Sequence, residues 1–352
     1  MTPIMQLRRK QPSQAGFTLI EIMVGLGIGM LAVMVIMQVL SVFENQKRVT
    51  TGTADAQTNG SIALYTIGRE LQLAGYPLIP VTNSPLECTA LTFGATGIGS
   101  ISPVTITEGV AASGVSASDQ ITIRYGNSQM GGTPTQITAM GAPNPNDATV
   151  NNSLGCQVND IAVITNGTSC ALTSVTAVSS AVPETVTLQN TTTATPGASL
   201  ACLGNWNEIT YRVNNGNLER NGVPMMAGIV NLQAQYGVSA SANSNQVTQW
   251  VDASGGTWAA PSIANRNRIK AVRIAVVARN AKVEPLAVTA ACSSTTAAAP
   301  TGLCAWEGST TSPAPALDLG AGGTIADWQR YRYRVFETTI PLRNVIWSKD
   351  TL

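Results

Sequence analysis

The chain has 352 residues, enough for one large domain or two ordinary ones, with a formal net charge of +1 and only 11% charged residues, against about 25% in an average soluble domain. Histidine is absent, which excludes imidazole acid–base catalysis, Ser-His-Asp or Cys-His nucleophile activation, and the commonest zinc and copper ligand. The near-neutral balance gives no basic field for nucleic acid, and a remainder rich in Thr, Ser, Ala, Asn and Gly is the composition of an exported chain.

Residues 1–16 hold Arg8, Arg9 and Lys10 and no acid, and an apolar run follows over 17–43. Residues 22–43, 22 in all, carry no charged side chain. About 20 apolar residues cross a bilayer as a helix, so 17–43 reads as transmembrane. The basic residues ahead of it keep the N-terminus cytoplasmic and place the rest of the chain outside. A cleavable secretory signal fits poorly. Its apolar region runs about 7–15 residues and is followed by a small-residue cleavage site, whereas here the conspicuous small residue, Gly16, comes first. One carboxylate, Glu21, sits at the mouth of the run. At membrane depth that group costs about 2.5–3.5 kcal/mol, so it marks a function with a partner.

No proline occurs between Phe17 and Tyr76. Ile62, Ile67, Leu71 and Ala74 suggest an apolar stripe, and Gly75 followed by Pro77 reads as a helix stop. An N-terminal helix is therefore expected over 17–75, apolar all round in its first half and amphipathic in its second.

From Pro77 onward, short runs of β-formers alternate with Gly, Asn, Ser and Pro. Strands are expected at 120–125, 160–165, 172–178, 208–213, 269–278 and 332–340. Asn215-Gly216 is a hairpin turn signal. Two stretches, 239–265 and 289–316, read as long surface loops. A helix followed by an antiparallel sheet over 76–352 makes the fold class α+β.

The six cysteines are Cys88, Cys156, Cys170, Cys202, Cys292 and Cys304. An even number in an exported chain points to disulfides, although six allow 15 pairings. Short loops favour Cys156 with Cys170 and Cys292 with Cys304, which leaves Cys88 with Cys202. Without CxxC pairs or histidine, a metal site is the poorer reading. Arg266, Arg268, Lys270, Arg273 and Arg279 surround one expected strand, and Arg330, Arg332 and Arg334 recur at period two before another. Such arginines can contact phosphates, but they read here as solvated strand faces or guards against edge pairing. Asn151, Asn166 and Asn190 match N-x-Ser/Thr, which is weak in Thr-rich sequence. No GxSxG, P-loop, dinucleotide turn or HExxH occurs. Neither an enzyme, a cofactor nor a small-molecule substrate is expected.

Gly16-Phe17-Thr18-Leu19-Ile20-Glu21, behind a basic leader and ahead of an unbroken apolar run, resembles the processing motif of type IV pilins and type II secretion pseudopilins. The resemblance implies leader cleavage by a prepilin peptidase between Gly16 and Phe17, N-methylation of Phe17, and pairing of Glu21, the fifth residue of the mature chain, with a neighbouring subunit's amino terminus. Residues 218–238, Trp250-Val251-Asp252, 268–280 and 336–347 resemble the head of PilW-type minor pilins. Many major pilins carry a proline in the apolar half; its absence here favours a minor subunit.

The family resemblance implies an assembly protein in the inner membrane, single-pass with a periplasmic head, later on the pilus or cell surface. Its expected partners are prepilin peptidase, other minor pilins, major pilin and the inner-membrane assembly platform. The resemblance also implies a priming role, and the large head together with the resemblance favours a position at or near the filament tip. The alternatives are a J-type minor pseudopilin and a pilus-associated adhesin or DNA-uptake subunit.

Overall fold

The computed structural model describes residues 16–78, 90–94, 96–110, 116–167, 169–191, 193–317, 319 and 327–346. Arg8, Arg9, Lys10 and Cys88 lie outside these. Helix α1 (Leu19–Leu71) is the first element. The chain divides into two compact units, 1–51 and 52–352, and α1 contributes to both.

In the first unit every described side chain over 17–47 is exposed. An 18-residue window here has mean hydropathy 2.5 and no residue buried. Such a surface is stable in lipid and unstable in water. Where polarity returns, Arg48 pairs with Glu44 one turn earlier, at 3.1 Å.

In the second unit α1 buries Ala56, Gly60, Ala63, Ile67 and Leu71. The stripe thus runs through Ala63, at four-residue spacing from Ile67 and Leu71. Ile62 does not belong to it and is 46% exposed, because its five-residue offset from Ile67 places it on another face of a 3.6-residue helix. The helix ends at Leu71, four residues before the expected end at Gly75. Tightened turns cover 72–77, and Gly75, at φ +79°, donates its N–H to Arg124 O at 2.9 Å. The helical ladder is thereby handed to a strand.

The head contains sixteen strands among the described residues. An antiparallel five-stranded sheet has the order β12-β11-β10-β3-β2, formed by β2 (Val104–Val110), β3 (Ser116–Tyr125), β10 (Asn207–Asn214), β11 (Asn217–Arg220) and β12 (Val223–Ala227). Asn215 (φ 49°) and Gly216 (φ 71°) make the β10–β11 turn, both left-handed as a type I′ turn requires. An antiparallel four-stranded sheet, order β14-β13-β15-β16, joins β13 (Ile229–Ser239), β14 (Val247–Val251), β15 (Ile269–Arg279) and β16 (Tyr333–Pro341). Both sheets and α1 bury one core that includes Ala63, Ile67, Leu71, Ile121, Ile123, Tyr211, Leu232, Tyr236 and Ile274.

Between β3 and β10 lies a third sheet. It contains β4 (Thr135–Met140), β5 (Asp147–Val150), β6 (Ile161–Thr165), β7 (Ser169–Ser179), β8 (Thr185–Leu188) and β9 (Ser199–Gly204), with the short β1 (Ala90–Thr92) parallel to β7. The order β7-β6-β9-β4-β5-β8 closes on itself because β8 pairs back onto β7. Closure removes the free edges of these strands, and the enclosed core includes Ile137, Ile164, Val175, Val186 and Leu200.

The two expected loops are more ordered than their composition suggests. Stretch 239–265 contains β14 and a short helix, α2 (Gly255–Trp258), and α3 (Ile263–Arg266) begins within it. Stretch 289–316 has only the isolated bridge Ala291–Leu303, yet Leu303, Ala305, Trp306 and Ala314 bury against Ala275 and Val277 on the far face of β15. It is the second lid of that sheet. A short helix, α4 (Arg343–Ile346), ends the described chain.

The disulfides correct two expected pairings. Cys156 bonds Cys202, with Cα atoms 5.2 Å apart, not Cys170. Cys202 opposes Ala162 on one flank of β6, whereas Cys170 opposes Thr165 on the other flank, beside β1. Strand order therefore overrides closeness in sequence. Cys202 being taken, the expected Cys88–Cys202 bond does not form; Cys170 is disulfide-bonded elsewhere. Cys292 bonds Cys304, with Cα atoms 4.8 Å apart.

Candidate functional site

The features that bear on function lie at the two ends of α1. At its start, Thr18 and Glu21 form a reciprocal capping box. Thr18 N and Thr18 Oγ1 donate to Glu21 Oε2 at 2.9 and 2.8 Å, and Glu21 N donates to Thr18 Oγ1 at 3.4 Å. The first helical N–H groups have no intrahelical partner, so a carboxylate at the third helical position satisfies one and complements the positive end of the helix dipole. Thr18 was not singled out from sequence, although T-x-x-E before an apolar run is a readable cap signal.

The capped carboxylate belongs to the fourth residue after Phe17 and is bonded back to Thr18, next to the expected Gly16–Phe17 cleavage point. No side chain of the described chain covers Gly16, Phe17 or Glu21. An addition at Gly16 Cα would meet nothing within 4 Å, which leaves the glycine accessible to a partner's cleft. The arrangement offers an uncovered peptide bond, an aromatic residue and one fixed negative charge at the mouth of an uncharged run over 22–43.

At the other end Glu70 joins α1 to two strands. Its Oε2 accepts from Tyr211 Oη at 2.8 Å, and its Oε1 accepts from Arg220 Nη2 at 2.8 Å and Nε at 3.2 Å. Burial, together with the hydrogen bond to Glu70, pushes the Tyr211 phenol well above its ordinary range. A second buried group, Asp119 on β3, accepts from Gly109 N at 3.0 Å and from Ala234 N at 2.8 Å. It thereby bonds β13 to the other sheet through a side chain. Burial holds its carboxyl well above the usual carboxylate range despite those two bonds, and Glu108 and Asp252 add to the rise. Neither group was read from sequence; a lone acid beside apolar neighbours does not announce its partners.

The basic stretches are engaged in the fold. Arg273 stacks on Trp306 and pairs with Glu337 at 3.3 Å. Arg279 stacks on Tyr331 and Arg268 on Trp258. Lys270 is buried and donates to Ala242 O. Arg330 pairs with Asp327, and Arg332 with Glu284. These contacts fasten the 239–265 and 280–317 segments to the sheet. Among the described residues no group of three or more Cys, Asp or Glu is placed to hold a metal ion.

Two family models match the chain. The prokaryotic N-terminal methylation motif covers residues 11–37, the segment that holds the Thr18–Glu21 cap. The family described as type IV pilus-assembly protein W covers 206–344, from the start of β10 into α4. No curated protein and no solved structure matches the chain. The chain is therefore similar to type IV pilin-like proteins in two places, the methylation motif at the start of its long apolar helix and the W-type assembly region in its antiparallel head.

Proposed function

We propose that the chain is a minor pilin of a type IV pilus, cleaved by prepilin peptidase between Gly16 and Phe17, methylated on Phe17, and active in priming filament assembly at or near the tip. It acts by association rather than catalysis. The precursor lies in the inner membrane with 1–16 cytoplasmic, 17–43 in the bilayer and the head in the periplasm. Leader removal takes Arg8, Arg9 and Lys10, so the formal charge falls from +1 to −2. The new ammonium at Phe17 must be neutralised when it enters an apolar filament core, and Glu21 is the carboxylate available for it. Other minor pilins, major pilin and the assembly platform are the partners.

The observation that carries this reading is one carboxylate, Glu21, on an apolar helix surface with no cover over 17–43. Electron-microscopic counts of surface pili test it. Cells lacking the chain should lose most pili. Replacing Gly16 by leucine should leave full-length precursor in the membrane and fail to restore piliation. Normal piliation without the chain overturns the priming role, and normal cleavage of the Gly16→Leu precursor overturns the processing step.

A further inference from the structure

The four-stranded sheet ends on β16, which pairs with β15 along its length and with no other strand among the described residues. Two flanking bonds fix the direction of its backbone groups. Leu342 N donates to Lys270 O, and Asn280 N donates to Arg332 O, so even-numbered residues face β15. By the two-residue period of an antiparallel ladder, the N–H and C=O groups of Tyr333, Val335, Glu337 and Thr339 face the open side. Natural edges are commonly blunted by lysine, proline or a bulge. Here the β15–β16 register is unbroken, Pro341 is the last residue of β16, and its two charges are Arg334, near its start, and Glu337, which pairs with Arg273.

Beside that edge a groove of about 550 Å³ runs between α1 and the strand. Leu64, Tyr65 and Arg69 form its helix wall, and Phe336, Thr338 and Ile340 its sheet wall. The helix is brought close by Gly60, where a Cβ would collide with the Phe336 ring. Tyr65 is 70% exposed. Arg69, one turn further on, has no ion pair among the described residues. The helix layer therefore extends past the last strand and leaves space for one more, with apolar flanks and one unmatched cation.

We propose that this groove and the open edge of β16 receive an extended strand of a neighbouring pilin-type subunit, apolar toward Tyr65 and Phe336 and bearing a carboxylate opposite Arg69. The inference rests on the minor-pilin reading above. In this mode the main-chain ladder supplies affinity, and the alternate side chains and the charge supply selection. A second copy of β16 fits less well, since its own carboxylate, Glu337, is taken by Arg273.

The test is photo-crosslinking in piliated cells, using the full-length chain with a photoreactive amino acid in place of Thr338. The adduct should map to a strand of a different pilin-type subunit that contains Asp or Glu. Arg69→Glu should lower its yield, and so should Thr339→Pro, which removes one outward N–H and spares the bonds to β15. A loss of about two- to tenfold is expected for each, the weight of one hydrogen bond. Changing the mapped acid to lysine should restore the yield with Arg69→Glu. An adduct to a second copy, no adduct, or a yield indifferent to both substitutions overturns the inference. If pili form without the chain, the minor-pilin reading itself falls; if pili require the chain and the crosslink fails, the groove alone was misread.

Discussion

Glu70→Ala is the sharpest perturbation of the helix–sheet junction. One carboxylate accepts from Tyr211 on β10 and from Arg220 on β11, and its side chain is 14% exposed. Tyr211 is fully buried, so truncating Glu70 strands a phenol O–H in the core, at about 1–3 kcal/mol. Arg220 has a side-chain exposure of 37% and recovers water, so its lost pairing adds only about 0–1 kcal/mol. The expected destabilisation is therefore about 1–4 kcal/mol, dominated by a hydroxyl rather than by the ion pair. Urea unfolding of the detergent-solubilised full chain, followed by tryptophan fluorescence, measures it. Glu70→Gln keeps an acceptor for Tyr211 and should cost less than Glu70→Ala. In the Glu70→Ala/Tyr211→Phe double variant no hydroxyl is stranded, so the two changes should couple by more than about 0.5 kcal/mol. Strict additivity, or a Glu70→Ala variant as stable as the parent, refutes the reasoning.

Asp119 gives a pH dependence of definite sign. Its native carboxyl is held above the usual range, so the folded chain binds this proton more tightly than the unfolded chain. Stability from this group therefore falls as pH rises from the ordinary carboxylate range through the elevated native value. Asp119→Asn should flatten that slope in urea midpoints taken from pH 5 to 8; an unchanged slope rejects the assignment. Glu184 and Glu219, held low by Ser153 and by Arg212 respectively, act oppositely, losing stability as pH falls through their lowered native values. The disulfides should differ in weight. The bonds span 46 and 12 residues, and chain entropy gives about 4 kcal/mol for Cys156–Cys202 and about 3 kcal/mol for Cys292–Cys304. Paired serine variants compared by urea midpoint measure the order, and peptide mapping without reduction checks the connectivity; a Cys156–Cys170 peptide would refute it.

The long helix was legible because its signals are local: an apolar run, absence of proline, and a Gly75–Pro77 stop. Glu21 stood out as a charge where charge is costly. The strand β13 was not legible as a strand. Asn231, Gln233 and Gln235 interrupt its apolar residues, yet all three are buried. Gln233 Nε2 donates to Ala117 O and Asn231 Oδ1, and Gln235 Nε2 to Asp252 Oδ1 and Pro313 O. Two of those four partners, Ala117 and Pro313, lie more than 70 residues away, and periodicity does not report them. The closed barrel was hidden for a similar reason. Its β5 and β8 have four residues each, and its closure depends on which strands meet. The cysteines fail the same way, because Cys156 finds Cys202 through the order of β7, β6 and β9.

The barrel's place in the chain explains how a head can carry it without losing its own architecture. In the β3–β10 pairing Tyr125 stands opposite Asn207, so residues 126–206 leave and re-enter the sheet across one rung. The ends of the excursion are thus already about 5 Å apart, and closure entropy grows only slowly with loop length, about 0.6 kcal/mol per doubling. The cores agree. Ile121 and Ile123 before the excursion share one cluster with Ile209 and Tyr211 after it, whereas the barrel cluster draws only on residues between 137 and 202. The W-type match begins at 206, where the chain returns. Residues 126–206 contain Asp147, Asp160 and Glu184 and no Lys or Arg, so none of the arginine contacts that fasten the rest of the head involves an arginine of the barrel. Helix, five-stranded sheet and four-stranded sheet share their core without it, and the barrel satisfies its own edges by closing.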